Sequence, residues 1–355
     1  MMRLVRLTGF RFSSHSVPIV DVQPFLTESG NYLQDCKTVA DSLHRYGCLV
    51  IKDPRVNAQQ NNTFIDMMEK FFHRRSQDYY QNKPVADIFP DKHFQVGATP
   101  EGAEKAREHQ TVCGSYQGEN KAATPQPPPH DAKWRYFWNI GQVMEDIAQN
   151  EPPKDFPEWA ETCDSWGTHM INGCFTVAEM AALGMGLDRH VFADMMQRGP
   201  HKLAPTGSDL ARHDVGTIFA GFHYDFNFLT IHGKSRYPGL FAWLRNGEKF
   251  TVAVPEGHLL LQAGKQFEWM TGGYINCGFH EVIYTEAVKQ KKEEAVKAGR
   301  IPWRISSTLF SHIRGDVTLE PLGKFKNAES LKTYPPTLAS QHACDELEAI
   351  NLKRS

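Results

Sequence analysis

Apolar residues in the first half of the chain recur mainly at every third or fourth position. This spacing covers residues 32–46, 62–72 and 157–187, and it predicts an amphipathic helix in each. Residues 17–22 instead alternate apolar side chains, and residues 48–51 form a short apolar run, so both are predicted to be strands. The N-terminal part is therefore expected to combine helices with a few strands.

Between about residue 217 and residue 322 the pattern changes to short apolar segments that are separated by Gly, Pro and Asn. Seven segments are predicted to be strands: 217–222, 228–232, 240–244, 250–254, 259–262, 274–279 and 304–312. This spacing predicts a jelly roll packed against helices, which makes the fold mainly β with helices (α+β). The lysine-rich run 286–300 interrupts it and is predicted to be a solvated helical insertion.

These patterns predict an organisation along the chain. The expected regions are an N-terminal segment (1–16), an α/β region (17–131) ending in the proline-rich stretch 124–129, a helical region with a long central helix (132–200), a jelly-roll core (201–322) and a C-terminal extension (323–355). No internal repeat is found.

Composition narrows the class of protein. The chain has 355 residues, of which 41% are hydrophobic and 23% charged, so it has enough apolar material for a large core. No apolar run approaches the roughly 18–20 residues of a membrane span. The net charge of -2 provides no basic field that would attract nucleic acid. Whether the chain is a monomer or part of a larger assembly is open.

The seven cysteines are scattered and form no Cys-x-x-Cys pair, which is typical of reduced thiols. The first twenty residues contain no acidic residue, and Arg3, Arg6 and Arg11 alternate there with apolar side chains. This segment resembles a mitochondrial presequence, so a mitochondrial location is expected. The alternative is a flexible basic tail on a cytoplasmic protein.

Three residues have the spacing of a metal site. His223 and Asp225 lie two apart at the end of a predicted strand, where both side chains point to one side. His280 follows 55 positions after Asp225, at the end of another predicted strand. Two imidazoles and one carboxylate on one face are the facial triad of non-haem Fe(II) oxygenases. Three protein ligands leave coordination positions open, unlike a closed four-ligand zinc site.

Arg304 and Ser306 lie two apart on a later predicted strand and share one face. A guanidinium and a hydroxyl in this arrangement can bind a carboxylate through charge-assisted hydrogen bonds. The alternative is an ordinary strand arginine that reaches a surface acid.

With these residues in place, the sequence resembles the iron- and 2-oxoglutarate-dependent dioxygenase superfamily, in particular its isopenicillin N synthase-like branch. The resemblance runs through nearly the whole chain and is carried by residues 17–21, 40–50, 133–141, 183–187, Phe192, 223–225, 229–231, 238–240, Gly257, Gly264, His280 and 304–307. It implies that His223, Asp225 and His280 bind Fe(II). It also implies that Arg304 and Ser306 hold the distal carboxylate of 2-oxoglutarate.

Three departures from the family pattern stand out. The step from His280 to Arg304 is 24 residues, where the family usually has about ten, so the charged insertion must loop out. The region 202–205 lacks the tyrosine that helps the family to hold the keto acid. Lys265 stands where an acidic residue usually follows Gly264.

The resemblance implies a dioxygenase that hydroxylates or desaturates a small organic molecule and releases succinate and CO2. Fe(II), 2-oxoglutarate and O2 are the expected cofactor and co-substrates, with ascorbate as a candidate reductant. Tyr136, Phe137, Lys234 and Arg236 are candidate substrate residues, although aromatic core packing and an exposed turn would explain them equally well. The alternative function is a catalytically silent dioxygenase fold, which serves as a structural or binding subunit of an organellar assembly.

Overall fold

The computed structural model describes residues 17–142, 147–251 and 253–349. The predicted presequence and the last six residues of the predicted C-terminal extension lie outside these ranges. The helices are α1 Gln23–Leu26, α2 Tyr32–Tyr46, α3 Ala58–Tyr80, α4 Gln110–Ser115, α5 Trp159–Gly184, α6 Val191–Met196, α7 Lys265–Met270, α8 Glu286–Lys297, α9 Ala328–Thr333 and α10 Ala339–Ala349. None of the helices in these ranges is long and apolar enough to cross a membrane.

The strands form one large sheet, one small sheet and a two-stranded ribbon. They are β1 Ile19–Asp21, β2 Cys48–Lys52, β3 Gly97–Thr99, β4 Trp134–Asn139, β5 Lys202–Leu203, β6 Thr206–Asp209, β7 Ile218–His223, β8 Leu229–His232, β9 Leu240–Trp243, β10 Lys249–Thr251, β11 His258–Ala263, β12 His280–Ile283, β13 Trp303–Ser306, β14 Thr308–Ser311, β15 Thr318–Leu319 and β16 Thr337–Leu338. The large sheet has the order β1-β2-β11-β8-β14-β5-β4-β6-β13, with β3 paired to β4, and the small sheet has the order β10-β9-β12-β7. A cavity lined by residues of both sheets lies between them. The predicted jelly roll is thus confirmed as a double-stranded β-helix.

Helices α2, α3 and α5 pack against strands of the large sheet. The long helix α5 packs against α2 and against strands β8 and β14. Its buried side chains include Trp166, Met170 and Cys174, which join the main hydrophobic core. The aromatic and methionine stripe of the sequence is therefore a packing face, and α5 holds the large sheet in place beneath the cavity.

Several elements agree with the sequence pattern. Helix α2 has the predicted bounds, whereas α3 extends beyond residues 62–72 at both ends. The capping box formed by Asn57 and Gln60 explains its earlier start. The charged insertion is helix α8, and among its residues only Val288 is buried.

The prediction of a strand over residues 274–279 is wrong. This stretch is irregular, and strand β12 begins only at His280. Gly272 and Gly273 both have a positive φ and turn the chain, and helix α7 occupies the residues before them. The apolar run resembles a strand in the sequence, but tertiary packing keeps it in a loop.

The turn after the predicted metal motif depends on one close backbone approach. A Cβ at Gly264 would lie 2.0 Å from the carbonyl oxygen of Asn227, so only glycine fits there. The amide of Gly264 donates to the carbonyl of Phe228, and the amide of Lys265 donates to the carbonyl of Asp225. These contacts fix the loop that carries Asp225.

Candidate metal centre and co-substrate pocket

Strand pairing brings the three predicted metal ligands together. Strands β12 and β7 are antiparallel, and His280 lies directly opposite His223. The ligand atoms of His223, Asp225 and His280 all lie within 4.8 Å of one another. The Nε2 atom of His223 is 3.6 Å from Asp225 Oδ1, and that of His280 is 3.9 Å from Asp225 Oδ2. These separations are too long for hydrogen bonds and suit three atoms that share one ion.

Neighbouring groups fix the orientation of each ligand. The Nδ1 atom of His223 lies 2.5 Å from the carbonyl oxygen of Gly221, and Nδ1 of His280 lies 3.3 Å from that of Gly278. Thr230 donates its hydroxyl to Asp225 Oδ2 at 2.7 Å. Because Nδ1 of each imidazole faces a carbonyl, Nε2 is left as the free acceptor toward the centre of the triad.

The electrostatics favour the protonation states that metal ligands need. Burial, reinforced by the neighbouring His280, lowers the pKa of His223 to about 3. Burial acts to raise the pKa of Asp225, but the adjacent imidazoles and the Thr230 hydroxyl outweigh it and lower that pKa. A neutral imidazole and an ionised carboxylate are the forms that bind metal.

The donor set fits a ferrous ion. Imidazole nitrogens and a carboxylate oxygen on one face, with the remaining positions free of protein, are the arrangement found in non-haem Fe(II) sites. The open side of the triad faces a cavity of about 1040 Å³. His223, Asp225 and His280 would therefore hold the metal at the wall of this cavity.

Arg304 reaches the same cavity from the large sheet. It lies on β13, is only 6% exposed, and donates from Nε to the carbonyl of Pro238 at 2.8 Å. No carboxylate among the described residues pairs with it. Burial lowers the pKa of its guanidinium to about 10. The alternative of an arginine reaching a surface acid is therefore wrong for Arg304.

Ser306 lies next to Arg304 on the cavity face of β13. Its hydroxyl is 3.0 Å from the Thr308 hydroxyl and 3.5 Å from Nδ1 of His232. His232 also contacts Gln262 at 3.0 Å, and burial lowers the pKa of this imidazole to about 4. A neutral His232 beside Ser306 is a pocket residue that sequence reasoning did not assign. Its position at the end of β8, opposite Thr308, depends on strand pairing.

The candidate substrate residues separate into two groups. Phe137, Lys234 and Arg236 line the cavity, whereas Tyr136 is not among its lining residues. Tyr136 is fully buried and donates its hydroxyl to the carbonyl of Glu151 at 2.7 Å. Side chains alternate along β4, so Tyr136 and Phe137 point to opposite faces. We therefore no longer assign Tyr136 to the substrate.

Lys234 and Arg236 already have acidic partners. Lys234 pairs with Glu256 at 2.6 Å, and Arg236 pairs with Asp66 at 2.8 Å and with Glu69 at 3.0 Å. Both cations are neutralised where they meet the cavity. Their part in substrate binding stays a prediction.

Several further cations line the cavity, and two of them, which were not singled out from the sequence, lie near Phe137. They are Lys202, at the position of the missing tyrosine stretch, and Arg135, two residues before Phe137. The alternation of β4 gave a signal for Arg135, because it must share the face of Phe137. Lys202 lies on a two-residue strand, too short to show any pattern.

The C-terminal helix α10 closes one side of the cavity. Ser340, Ala343 and Leu347 line it, and Glu346 accepts a hydrogen bond at 3.1 Å from the Tyr224 hydroxyl and another at 3.1 Å from Arg107. Tyr224 is the residue between the candidate ligands His223 and Asp225, so the helix contacts the turn that carries them from outside.

Lys265 also has a physical explanation in the structure. Its ammonium pairs with Glu268 at 2.5 Å, and that carboxylate accepts the amide of Cys277 at 2.9 Å. The ammonium lies 5.3 Å from the centre of the Tyr224 ring. Lys265 thus holds the irregular stretch before His280 against the metal-binding turn.

No family model and no curated protein matches the chain, but solved structures do. A 2OG-Fe(II) oxygenase family protein from Caulobacter crescentus has a TM-score of 0.70 at 20% identity, covering 94% of this chain and 98% of its own. A full-length Neurospora crassa protein in complex with alpha-KG has a TM-score of 0.71 at 17% identity, covering 94% and 96%. The rice dioxygenase for auxin oxidation has a TM-score of 0.64 at 18% identity, covering 94% and 95%. The chain therefore has the fold of the 2OG-Fe(II) oxygenases.

Proposed function

We propose that this protein is an Fe(II)- and 2-oxoglutarate-dependent dioxygenase that hydroxylates or desaturates a small organic molecule and releases succinate and CO2. The observation that carries the proposal is the pairing of two features across one cavity. The first is a preformed set of two imidazoles and one carboxylate. The second is Arg304, a buried guanidinium with no carboxylate partner among the described residues.

The roles of the residues follow from their positions. His223, Asp225 and His280 would hold Fe(II), which when bound supplies the O2 activation that couples 2-oxoglutarate decarboxylation to substrate oxidation. Arg304 and Ser306 would bind the distal carboxylate of 2-oxoglutarate, because a buried guanidinium and a hydroxyl form charge-assisted hydrogen bonds with it. Helix α10 and the two sheets would exclude bulk water from the reaction.

A small substrate is favoured by the cavity itself. About 1040 Å³ accommodates a keto acid together with a drug-sized molecule. One structure of the similar Neurospora crassa protein holds alpha-KG and thymine. The net charge of -2 gives no support for a nucleic-acid substrate.

Two finer assignments are also proposals. The isopenicillin N synthase-like branch is supported by the motifs along the chain, and the mitochondrial location by the acid-free, arginine-bearing N-terminus. The alternative of a catalytically silent subunit is not favoured, since loss of function would leave no physical reason to keep a buried Arg304, with no carboxylate partner among the described residues, facing an intact ligand triad.

Anaerobic titration with Fe(II) and 2-oxoglutarate tests the proposal. We expect a visible metal-to-ligand charge-transfer band in the wild-type protein and none in Asp225→Ala. Absence of the band in a folded wild-type protein that binds Fe(II) would contradict use of 2-oxoglutarate. Failure to bind Fe(II) at all would contradict the metal assignment.

A further inference from the structure

A second group of cations lies in the cavity, apart from Arg304. It consists of Lys133 before β4, Arg135 on β4 and Lys202 on β5, and all three line the cavity. Strand β6 lies between β4 and β13 in the large sheet, so this group is separated by a strand from Arg304. The proposed binding of 2-oxoglutarate therefore leaves it unexplained.

The charges of this group do not balance among the described residues. Lys133 pairs with Asp131 at 2.6 Å and with Glu104 at 3.3 Å, and Arg135 also pairs with Glu104. Two carboxylates thus face three cations. The remaining positive charge belongs to Lys202, whose hydrogen-bond acceptors are neutral.

Lys202 is buried, and its hydrogen-bond acceptors in the described ranges are neutral. The residue is 7% exposed, and its Nζ donates to Asn139 Oδ1 at 2.5 Å and to the carbonyl of Gln95 at 2.9 Å. Burial, assisted by the nearby Arg135, lowers the pKa of Lys202 to about 8. A buried ammonium without an anion destabilises the folded protein unless a ligand compensates for it.

Arg135 also has unused hydrogen-bonding capacity. It is also 7% exposed, and its buried Nε has no hydrogen-bond partner in the described part of the chain. Its guanidinium lies 4.0 Å from the centre of the Phe137 ring, and Nζ of Lys202 lies 5.9 Å from the same centre. Two buried cations therefore share one aromatic side chain in the cavity wall.

This group is close to the proposed metal centre. Asp131, which pairs with Lys133, accepts the amide of Gly221 at 2.8 Å, and the carbonyl of Gly221 faces Nδ1 of His223. Lys202 and Arg135 line the same cavity as His223, Asp225 and His280. A small ligand bound by Lys202 and Arg135 would thus extend beside the metal ligands.

We propose that Lys202 and Arg135 bind the carboxylate of the substrate, and that the substrate is a small organic monocarboxylic acid. A single excess positive charge matches a monoanion better than a doubly charged phosphate ester. Phe137, Phe226 and Phe310 line the cavity and would contact the apolar body of the acid. This inference rests on the proposed function, since it names the substrate class of that same site.

Calorimetry on the full-length protein, loaded with redox-inert Zn(II) and saturated with 2-oxoglutarate, tests the inference. The probes are 3-phenylpropanoate, 4-phenylbutanoate and octanoate, each compared with its uncharged primary amide. We expect at least one acid to bind ten-fold or more tightly than its amide. Lys202→Met should remove this preference without weakening the amide, and Lys202→Gln, which keeps a hydrogen-bond donor, should do the same.

Lys92→Met is the matched control, because Lys92 lines the same cavity but already pairs with Glu151. It should leave the preference for acids unchanged. We also expect ligand-free K202M to unfold at a temperature no lower than wild type, because it loses an uncompensated buried charge. A clear loss of thermal stability in both Lys202 variants, with the acid preference intact, would make Lys202 a structural residue.

Three other results would overturn the inference. They are equal binding of acid and amide, no binding of any acid, and a loss of 2-oxoglutarate affinity in K202M as large as that in Arg304→Met. The last result would assign Lys202 to the co-substrate. A wild-type protein that binds no 2-oxoglutarate would instead contradict the proposed function, so the two failures can be told apart.

Discussion

The cavity has a metal-binding half, which carries His223, Asp225 and His280, and an arginine half, which carries Arg304. The two halves are built in opposite ways. In the metal-binding half, strand pairing, two backbone carbonyls and the Thr230 hydroxyl all orient the three ligands. In the arginine half, Arg304 donates to the Pro238 carbonyl and has no carboxylate partner among the described residues. The first half is arranged before any ligand arrives, whereas the second carries an uncompensated charge that only an anionic ligand would neutralise.

Removing a metal ligand should have the largest effect, because it acts on the metal-binding half directly. His223→Ala or Asp225→Ala takes one of three donors from a site that has no fourth among the described residues. We expect Fe(II) binding and succinate formation to fall below detection, as measured by metal content and by product assay. His130→Ala is the control, because His130 is exposed and lies outside the triad. Undiminished succinate formation in either ligand variant would refute the assignment.

Arg304→Met should have the next largest effect. Loss of one partner from a buried, hydrogen-bonded charge pair costs about 2–5 kcal/mol, so the 2-oxoglutarate requirement should rise by roughly 30-fold or more. The ligand-free protein should not become less stable, because an uncompensated buried charge is removed. Titration of 2-oxoglutarate and thermal unfolding measure the two effects.

Arg300→Ala is the matched control for Arg304. Arg300 is partly exposed and pairs with Asp66 and Glu69. Its loss should leave the 2-oxoglutarate requirement unchanged. An equal rise in the 2-oxoglutarate requirement in both variants would mean that Arg304 acts through the overall charge of the protein and not as a direct partner of the 2-oxoglutarate carboxylate.

Thr230→Val tests how far the metal-binding half depends on its supporting hydroxyl. The variant keeps the shape of the side chain but removes the hydrogen bond to Asp225. Loss of such an outer contact typically weakens metal binding about 10-fold or somewhat more. Competition with a chelator measures the change. Unaltered metal affinity would show that strand pairing alone orients the carboxylate.

The smallest effect should come from the charged insertion that precedes Arg304. Lys291 and Glu294 form an exposed pair on α8 at 2.7 Å. In a double-mutant cycle we expect a coupling free energy of unfolding below about 0.5 kcal/mol, because exposed ion pairs contribute little. A larger coupling would mean that the Lys291–Glu294 pair contributes more to the stability of the fold around α8 than its exposure predicts.

The candidate metal ligands could be predicted from the sequence because their residue types and spacing are typical of a facial triad, although long-range strand pairing brings them together. The expected strand geometry was only partly right, because β7 ends at His223, a loop carries Asp225, and His280 begins β12 instead of ending a strand. Arg304 and Ser306 do share one face through the alternation of β13. The charged insertion did not obscure the pattern of Arg304 and Ser306. It forms the separate helix α8, and the register between β13 and β6 is regular.

The rest of the cavity could not be predicted, since it depends on contacts between distant segments. Lys202 lies on a strand of two residues, and its environment comes from Asn139 and Gln95. The sequence pattern places β4 outside the jelly roll, yet it pairs with β5 and β6. The error over Tyr136 was avoidable, because the alternation that places Phe137 at the cavity requires its neighbour to face the core.

His280 and His223 lie opposite each other on two paired strands. Metal binding by the triad would therefore be coupled to folding. An unfolded chain would hold these imidazoles apart, so a metal ion bound by the triad favours the folded state according to its concentration. At one hundred times its dissociation constant this linkage amounts to about 2.7 kcal/mol. Iron scarcity would then lower the abundance of folded protein as well as its turnover.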